Sequence, residues 1–246
     1  MPYRRYRAPI ASLPRRRLLA GGALLAGSAG FVNAVLLSFF QVPVSHMSGA
    51  VSHLGVAMAS RPGSEALGAL TIVAAFFLGS VVSGVLVGRD TALPGRRYAA
   101  VLLIQGVSLV VAGTCLYARI SAGVPLAAFA CGVQNAMSSS YYGLAIRTTH
   151  VTGMVTDLGV IVGHWLRHRR VSRWKATVLS VMTGAFLTGG VVGAASIVWL
   201  DFRVLYVPAA GTLVAALAYY VTAVRDARAR DDHRRGALIA ERKKVG

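Results

Sequence analysis

Charge is scarce in this 246-residue chain: 14% of its residues are Asp, Glu, Lys or Arg, and only 8 of them are acidic. Soluble domains run near a quarter charged, so this shortage excludes an ordinary water-soluble fold. Cysteine is almost absent. Cys115 and Cys131 both lie in apolar stretches and match no metal-ligand spacing, so they read as buried free thiols and exclude a disulfide framework. The signatures of familiar enzymes are missing as well: no G-x-S-x-G elbow, no H-E-x-x-H, no P-loop and no C-x-x-C. No catalytic residue, no metal site and no cofactor is therefore expected.

What the chain has instead is apolar length. With 55% hydrophobic residues and a mean hydropathy of +0.61, it reads as an all-α membrane protein that crosses the bilayer several times. The net charge of +18 would suit nucleic acid if spread over a surface. The basic residues cluster instead at the N-terminus, in "RHRRVSRWK" and in the C-terminal tail. That pattern fits cytoplasmic loops against anionic lipid headgroups, and no nucleic-acid partner is expected. "PRRRLLAGGALLAGSAG" from Pro14 has the form of an export signal, but the apolar pattern runs on to Phe40, long enough for a first transmembrane helix.

Two polar stretches stand out between the apolar ones: "HMSGAVSHLGVAMA" from His46 and "RTTHVTGMVTDLGVIVG" from Arg147. His46, Ser48, Gly49, Leu54 and Gly55 match His150, Thr152, Gly153, Leu158 and Gly159, each 104 residues on, while Asn33 in "GFVNA" matches Asn135 in "GVQNA" 102 residues on. Gly79, Gly84 and Gly88 match Gly184, Gly189 and Gly193 at 105. A duplication is the simplest account. The chain then divides into a basic cytoplasmic N-terminus (1–17), a first repeat (18–120), a second repeat (121–224) and a basic cytoplasmic tail (225–246). Helices are expected near 18–42, 46–60, 66–88 and 98–118, then 122–144, 150–166, 175–199 and 204–224.

Topology turns on the short helices at 46–60 and 150–166. If neither crosses, there are six spans, three per half, and the halves are inverted; if both cross, there are eight and the halves are parallel. Six spans plus two polar-headed half-helices leave fewer arginines outside and are preferred. In lipid an irregular backbone survives only where it is buried in protein or lines a cavity. A half-helix that starts inside the membrane thus offers its N-terminal end as an anion or carbonyl site.

The candidate solute or proton site consists of His46, Ser48, His53, Arg147, Thr149, His150, Thr152 and Asp157, with Asn33, Gln134 and Asn135 on the neighbouring long helices. The histidines sit at matching positions and would meet from opposite faces. Asp157, the one acid in the apolar region, has His53, His150 and Arg147 as candidate partners, because a lone charge there is costly. The hydroxyls and carboxamides can equally serve as helix-to-helix hydrogen bonds. Gly79, Gly84, Gly88, Gly184, Gly189 and Gly193 read as packing positions.

"CGVQNA" at Cys131, "RTTHVTGMVTDLG" at Arg147, "GFVNAVLLSF" and "HMSGAVSHLG" together resemble the YoaK-like family of bacterial inner-membrane proteins, domain of unknown function 1275, over about residues 18–224. The resemblance implies a six-helix protein of the bacterial inner membrane and brings no substrate. Members of that family usually carry Asp where this chain has Asn33, and Asn-Met-Thr-Gly-Asn where it reads His46-Met47-Ser48-Gly49-Ala50. The leading expectation is a small-solute transporter or channel-like permease with a site at the interface of the halves. The alternatives are a non-transporting scaffold or regulator, and an intramembrane metal- or lipid-dependent enzyme. Solute and oligomeric state are not legible in the sequence.

Overall fold

The computed structural model describes residues 15–41, 43–60, 63–87, 95–139, 149–169 and 171–245. Gly88 and Arg147 lie outside the described residues. Eight helices follow one another: α1 (Arg15–Phe40), α2 (Met47–Ser60), α3 (Ser64–Val87), α4 (Arg96–Tyr117), α5 (Gly123–Ser139), α6 (Val151–His168), α7 (Arg173–Leu200) and α8 (Tyr206–Val245), with a 3-10 turn at Asp201–Leu205. No strand occurs among the described residues. α8 runs on well past 224, through the basic stretch expected to be a separate tail.

Among the described residues four segments are long and apolar enough to cross a membrane: Leu18–Phe40, Ser64–Val87, Arg96–Tyr117 and Arg173–Arg228. The last, at 56 residues, is too long for one crossing of about 20. It is divided at Asp201, whose φ of 47° breaks the helix between α7 and α8. The apolar side chains that face outward, such as Leu24, Phe77, Val85 and Val198, would be unfavourable in water and suit hydrocarbon.

The packing shows which way each helix runs. One buried group joins the end of α1 (Val35, Leu36), the end of α4 (Ala112, Leu116), the start of α5 (Val124, Ala127) and the 3-10 turn (Phe202, Leu205). A second joins the end of α3 (Val87), the start of α4 (Tyr98, Val101) and the end of α5 (Val133, Met137), with Leu25 of early α1 against it. Hence α1, α4 and α7 run from the second end to the first, and α3, α5 and α8 run back. The first is called here the turn end. The second is the basic end, because Arg15, Arg16, Arg96, Arg97, Arg173 and Lys175 stand at the helix starts there.

Helix crossings without side chains hold the bundle. α1 packs most closely on α7, and α3 on α5. A Cβ added to Gly30 would lie 2.0 Å from the carbonyl oxygen of Phe186, and one on Gly189 2.0 Å from that of Gly27. In the other pair, a Cβ on Gly132 would lie 2.0 Å from the carbonyl oxygen of Phe76, and one on Gly79 2.1 Å from that of Phe129. Gly27 and Gly30 stand 102 residues before Phe129 and Gly132; Phe76 and Gly79 stand 110 before Phe186 and Gly189. The close crossings therefore fall at offsets of 102 and 110, where "AFFLGSVVSG" (75–84) stands beside "AFLTGGVVGA" (185–194), and not at the offset of 105 read from the glycines. Gly193 packs against Phe31, whereas a Cβ on Gly84 or Gly184 would meet nothing within 4 Å. Glycine- and valine-rich helices look alike at several registers, and only the crossing point selects one.

Candidate functional site

The chain leaves α1 at Phe40 and turns back through Gln41, whose left-handed φ of 56° reverses its direction. Ser45 then anchors the returning strand on the side of α1. Its backbone N–H and its hydroxyl both donate to Oδ1 of Asn33, at 3.2 and 2.9 Å. Ser45 and Asn33 are buried, so the carboxamide oxygen meets two donors that water cannot reach. Asn33 lies seven residues before the end of α1, about 10 Å inward at 1.5 Å per residue. α2 therefore starts inside the bundle rather than at its surface.

A contact of the same kind holds the start of α6. The Thr149 hydroxyl donates to Oδ1 of Asn135 at 2.7 Å, and α6 begins two residues later. Ser45 and Thr149 are 104 residues apart and immediately precede His46 and His150. Ser45 had no place among the sequence candidates, although the matched pairs Ser-His and Thr-His carry the signal.

Both polar stretches open onto one cavity of about 630 Å³, whose walls include His46, Ser48, Asn135, Thr149, His150 and Thr152. Phe76, at the midpoint of α3, forms part of its wall. The His46 ring stands edge-on to Phe186, 5.2 Å between centroids, and Phe186 is at the middle of α7. The cavity is thus level with the helix midpoints. His150 precedes α6 without capping it and folds over the first turn, where a Cβ on Gly153 would come within 2.3 Å of its ring.

Asn33 supports the cavity from behind its wall. Gln134 points elsewhere: it accepts from Nε2 of Gln105 at 2.5 Å and donates to the carbonyl of Leu25 at 2.6 Å, tying α5 to α4 and α1. Its role is therefore bracing.

Among the described residues Asp157 is held by neither His53 nor His150, and Arg147 lies outside them. Its carboxylate pairs with Nζ of Lys175 at 2.9 Å, and both side chains are about half exposed. Lys175 lies two residues into α7, at the basic end, so Asp157 sits near the bundle surface rather than in its apolar middle. His53 is exposed on α2, which packs on α3, whereas α6 packs on α7. The expected His53–Asp157 pair is replaced by Asp157–Lys175, because the polar-headed helices lead away from the cavity toward opposite ends. An exposed pair of this kind contributes no more than about 1 kcal/mol. Asp157→Asn should therefore leave the thermal midpoint of the detergent-solubilised protein almost unchanged. A large drop would show that the pair carries more of the fold than its exposure allows.

No curated protein and no solved structure matches this chain. The model of one family, described as a protein of unknown function (DUF1275), matches residues 21–218, which takes in both polar stretches and all eight helices in whole or in part. The chain, with its apolar helices suited to a membrane, belongs to the DUF1275 family.

Proposed function

We propose that the protein is a small-solute permease with its binding site in the cavity shared by the two polar stretches. The observation that carries this reading is the position of the cavity: level with the midpoints of α3 and α7, and lined from both stretches by residues at matching positions. Transporters built from inverted halves place their sites there, at the ends of broken helices. In this reading α1, α3, α4, α5, α7 and α8 cross the membrane. α2 re-enters from the turn end and α6 from the basic end. The paired glycine crossings, the paired Asn anchors and the alternating helix directions support inverted repeats.

The two halves also differ at one seam. α4 packs closely on α5, while the corresponding α8 and α1 barely touch, leaving an apolar groove of about 810 Å³ that Phe31, Val192 and Thr212 help to line. A loosely packed seam leaves room for one half to rock against the other, the motion by which alternating access proceeds.

The basic end faces the cytoplasm in this proposal, with both termini there, in the bacterial plasma membrane. Arg15 lies over the Trp174 ring at 4.9 Å and Arg169 over Trp165 at 5.5 Å, a belt suited to anionic headgroups.

Cysteine labelling tests the reading. In a background with Cys115 and Cys131 replaced by alanine, Ala118→Cys should react with a membrane-impermeant thiol reagent from outside the cell only, and Gly95→Cys from inside only. Ser48→Cys and Thr152→Cys should react from at least one side. If neither cavity position reacts from either side, the cavity is closed to solute and the protein is a scaffold.

A further inference from the structure

Charge is distributed unevenly around the cavity. Among the described residues its walls contain two histidines, several hydroxyls and a carboxamide, and no Asp or Glu. The wider chain has little acid to lend. Of its eight acidic residues, Glu65 opens α3, Asp90 lies between α3 and α4, Asp201 is in the 3-10 turn, and Asp226, Asp231, Asp232 and Glu241 fall late in α8. Asp157 is engaged by Lys175. Residues 140–148, which join α5 to the cavity wall at Thr149, contain Arg147 and no acid.

Ser45, Ser80, Ser139 and Thr149 spend their hydroxyl protons on the protein, so donation to a ligand falls to Asn135, Ser48, Thr152 and the two histidines. Asn135 accepts the Thr149 hydroxyl on Oδ1 and has its Nδ2 to donate to the cavity. The Ser80 and Ser139 hydroxyls are directed at backbone carbonyls of Phe76 and Asn135. Ser48 and Thr152, both exposed to the cavity on the first turns of α2 and α6, keep hydroxyls that can turn toward a ligand. His46 and His150 each bring ring N–H groups, and an imidazolium would bring two. No side chain caps α6, so its first-turn amides add to the same sign of potential. The remaining wall is apolar, with Phe76, Met47 and Ala136.

We infer that the cavity binds a small organic anion, a carboxylate with a short apolar body, between His46 and His150 with Asn135, Ser48 and Thr152 as further donors. A cation in this place would lose its water with no carboxylate to replace it, which is costly in a membrane interior. An anion would exchange its hydration for charge-assisted N–H and O–H bonds. The volume, within the usual range of small-molecule sites, leaves room for a chain of several carbons beside Phe76. The inference rests on the permease reading only for the movement of the anion, not for its binding.

Three probes of nearly one shape separate the possibilities: butyrate, butyramide and butylammonium, each titrated against the thermal unfolding of the purified full-length protein in detergent. A ligand of the folded state raises its apparent stability by mass action. Butyrate should bind about tenfold tighter than butyramide, the step that one charge-assisted hydrogen bond supplies, with butylammonium weakest. His46→Leu with His150→Leu should remove that advantage. If this double variant does not fold, Ser48→Ala with Thr152→Val, at exposed positions, should still weaken butyrate measurably. Equal affinity for butyrate and butyramide, tighter binding of butylammonium, or no saturable stabilisation by butyrate would each overturn the inference. Uptake of the labelled probes into proteoliposomes separates the two readings. Butyrate bound but never transported would overturn the permease and leave the anion site standing. Butylammonium transported in place of butyrate would do the reverse.

Discussion

Gly30→Val and Gly132→Val are each expected to abolish the folded bundle, with no monodisperse protein recovered in detergent, or a fall in melting temperature of more than about 10 °C if some is. At both positions the first side-chain atom would have to share space with a backbone carbonyl 2.0 Å away, on Phe186 and Phe76 respectively. A flexible side chain could move aside; a carbonyl inside a helix cannot, so the helices must part. Overpacking usually costs about 1–3 kcal/mol, and here the whole α1–α7 or α3–α5 contact is at stake. Gly84→Ala and Gly184→Ala provide the contrast. Nothing stands within 4 Å of either added methyl, so each should change stability by no more than about 0.5 kcal/mol, apart from a helix-propensity gain of up to about 1 kcal/mol. Should Gly30→Val melt like the parent, the close crossing is wrong. Should Gly84→Ala prove as damaging, the register of 110 is wrong.

Asn33→Leu should produce the second large effect. It removes the single oxygen that accepts both the backbone N–H and the hydroxyl of Ser45, a residue only 2% exposed. Each buried donor left without a partner costs about 1–3 kcal/mol, and the start of α2 loses its anchor to α1. A fall of about 4–20 °C in melting temperature is expected at a few degrees per kcal/mol. Asn33→Asp keeps an acceptor oxygen in the same place, so it should hold both donors and stay much nearer the parent. The matched variant Asn135→Leu should loosen the start of α6 and open Thr149 to exchange. The anchor is disproved if Asn33→Leu is as stable as Asn33→Asp, measured on the same preparation by thermal unfolding and by hydrogen exchange at Ser45.

How far these sites could be read beforehand depends on the kind of interaction. Ser48, His46 and their counterparts Thr152 and His150 were legible, because polar groups are rare in apolar helices and a matched spacing of 104 among them is hard to mistake. Asn33 and Asn135 were legible for the same reason, although their partners were not. The partner of Asp157 was not legible for lack of depth: in the sequence it sits inside an apolar run, whereas α6 carries it outward to Lys175, a residue 18 positions further along on another helix.

By itself the sequence determined the all-helical, membrane-suited class, since an apolar run of 20 residues with few charges has no other stable backbone in lipid. It also located the two polar stretches and the positions of the helices to within a few residues, except for the end of α8, which runs on to Val245. Tertiary structure alone decided the register of the glycines, the direction of each helix and the anchoring of the cavity wall by Ser45 on Asn33. The physical reason is the range of the forces involved. Hydrophobic length and helix propensity act locally and leave their mark in consecutive residues. A backbone crossing at a glycine, a carboxamide closing on a serine 12 residues away and an ion pair between two helices depend on where separate segments come to rest, and no short stretch of chain records that.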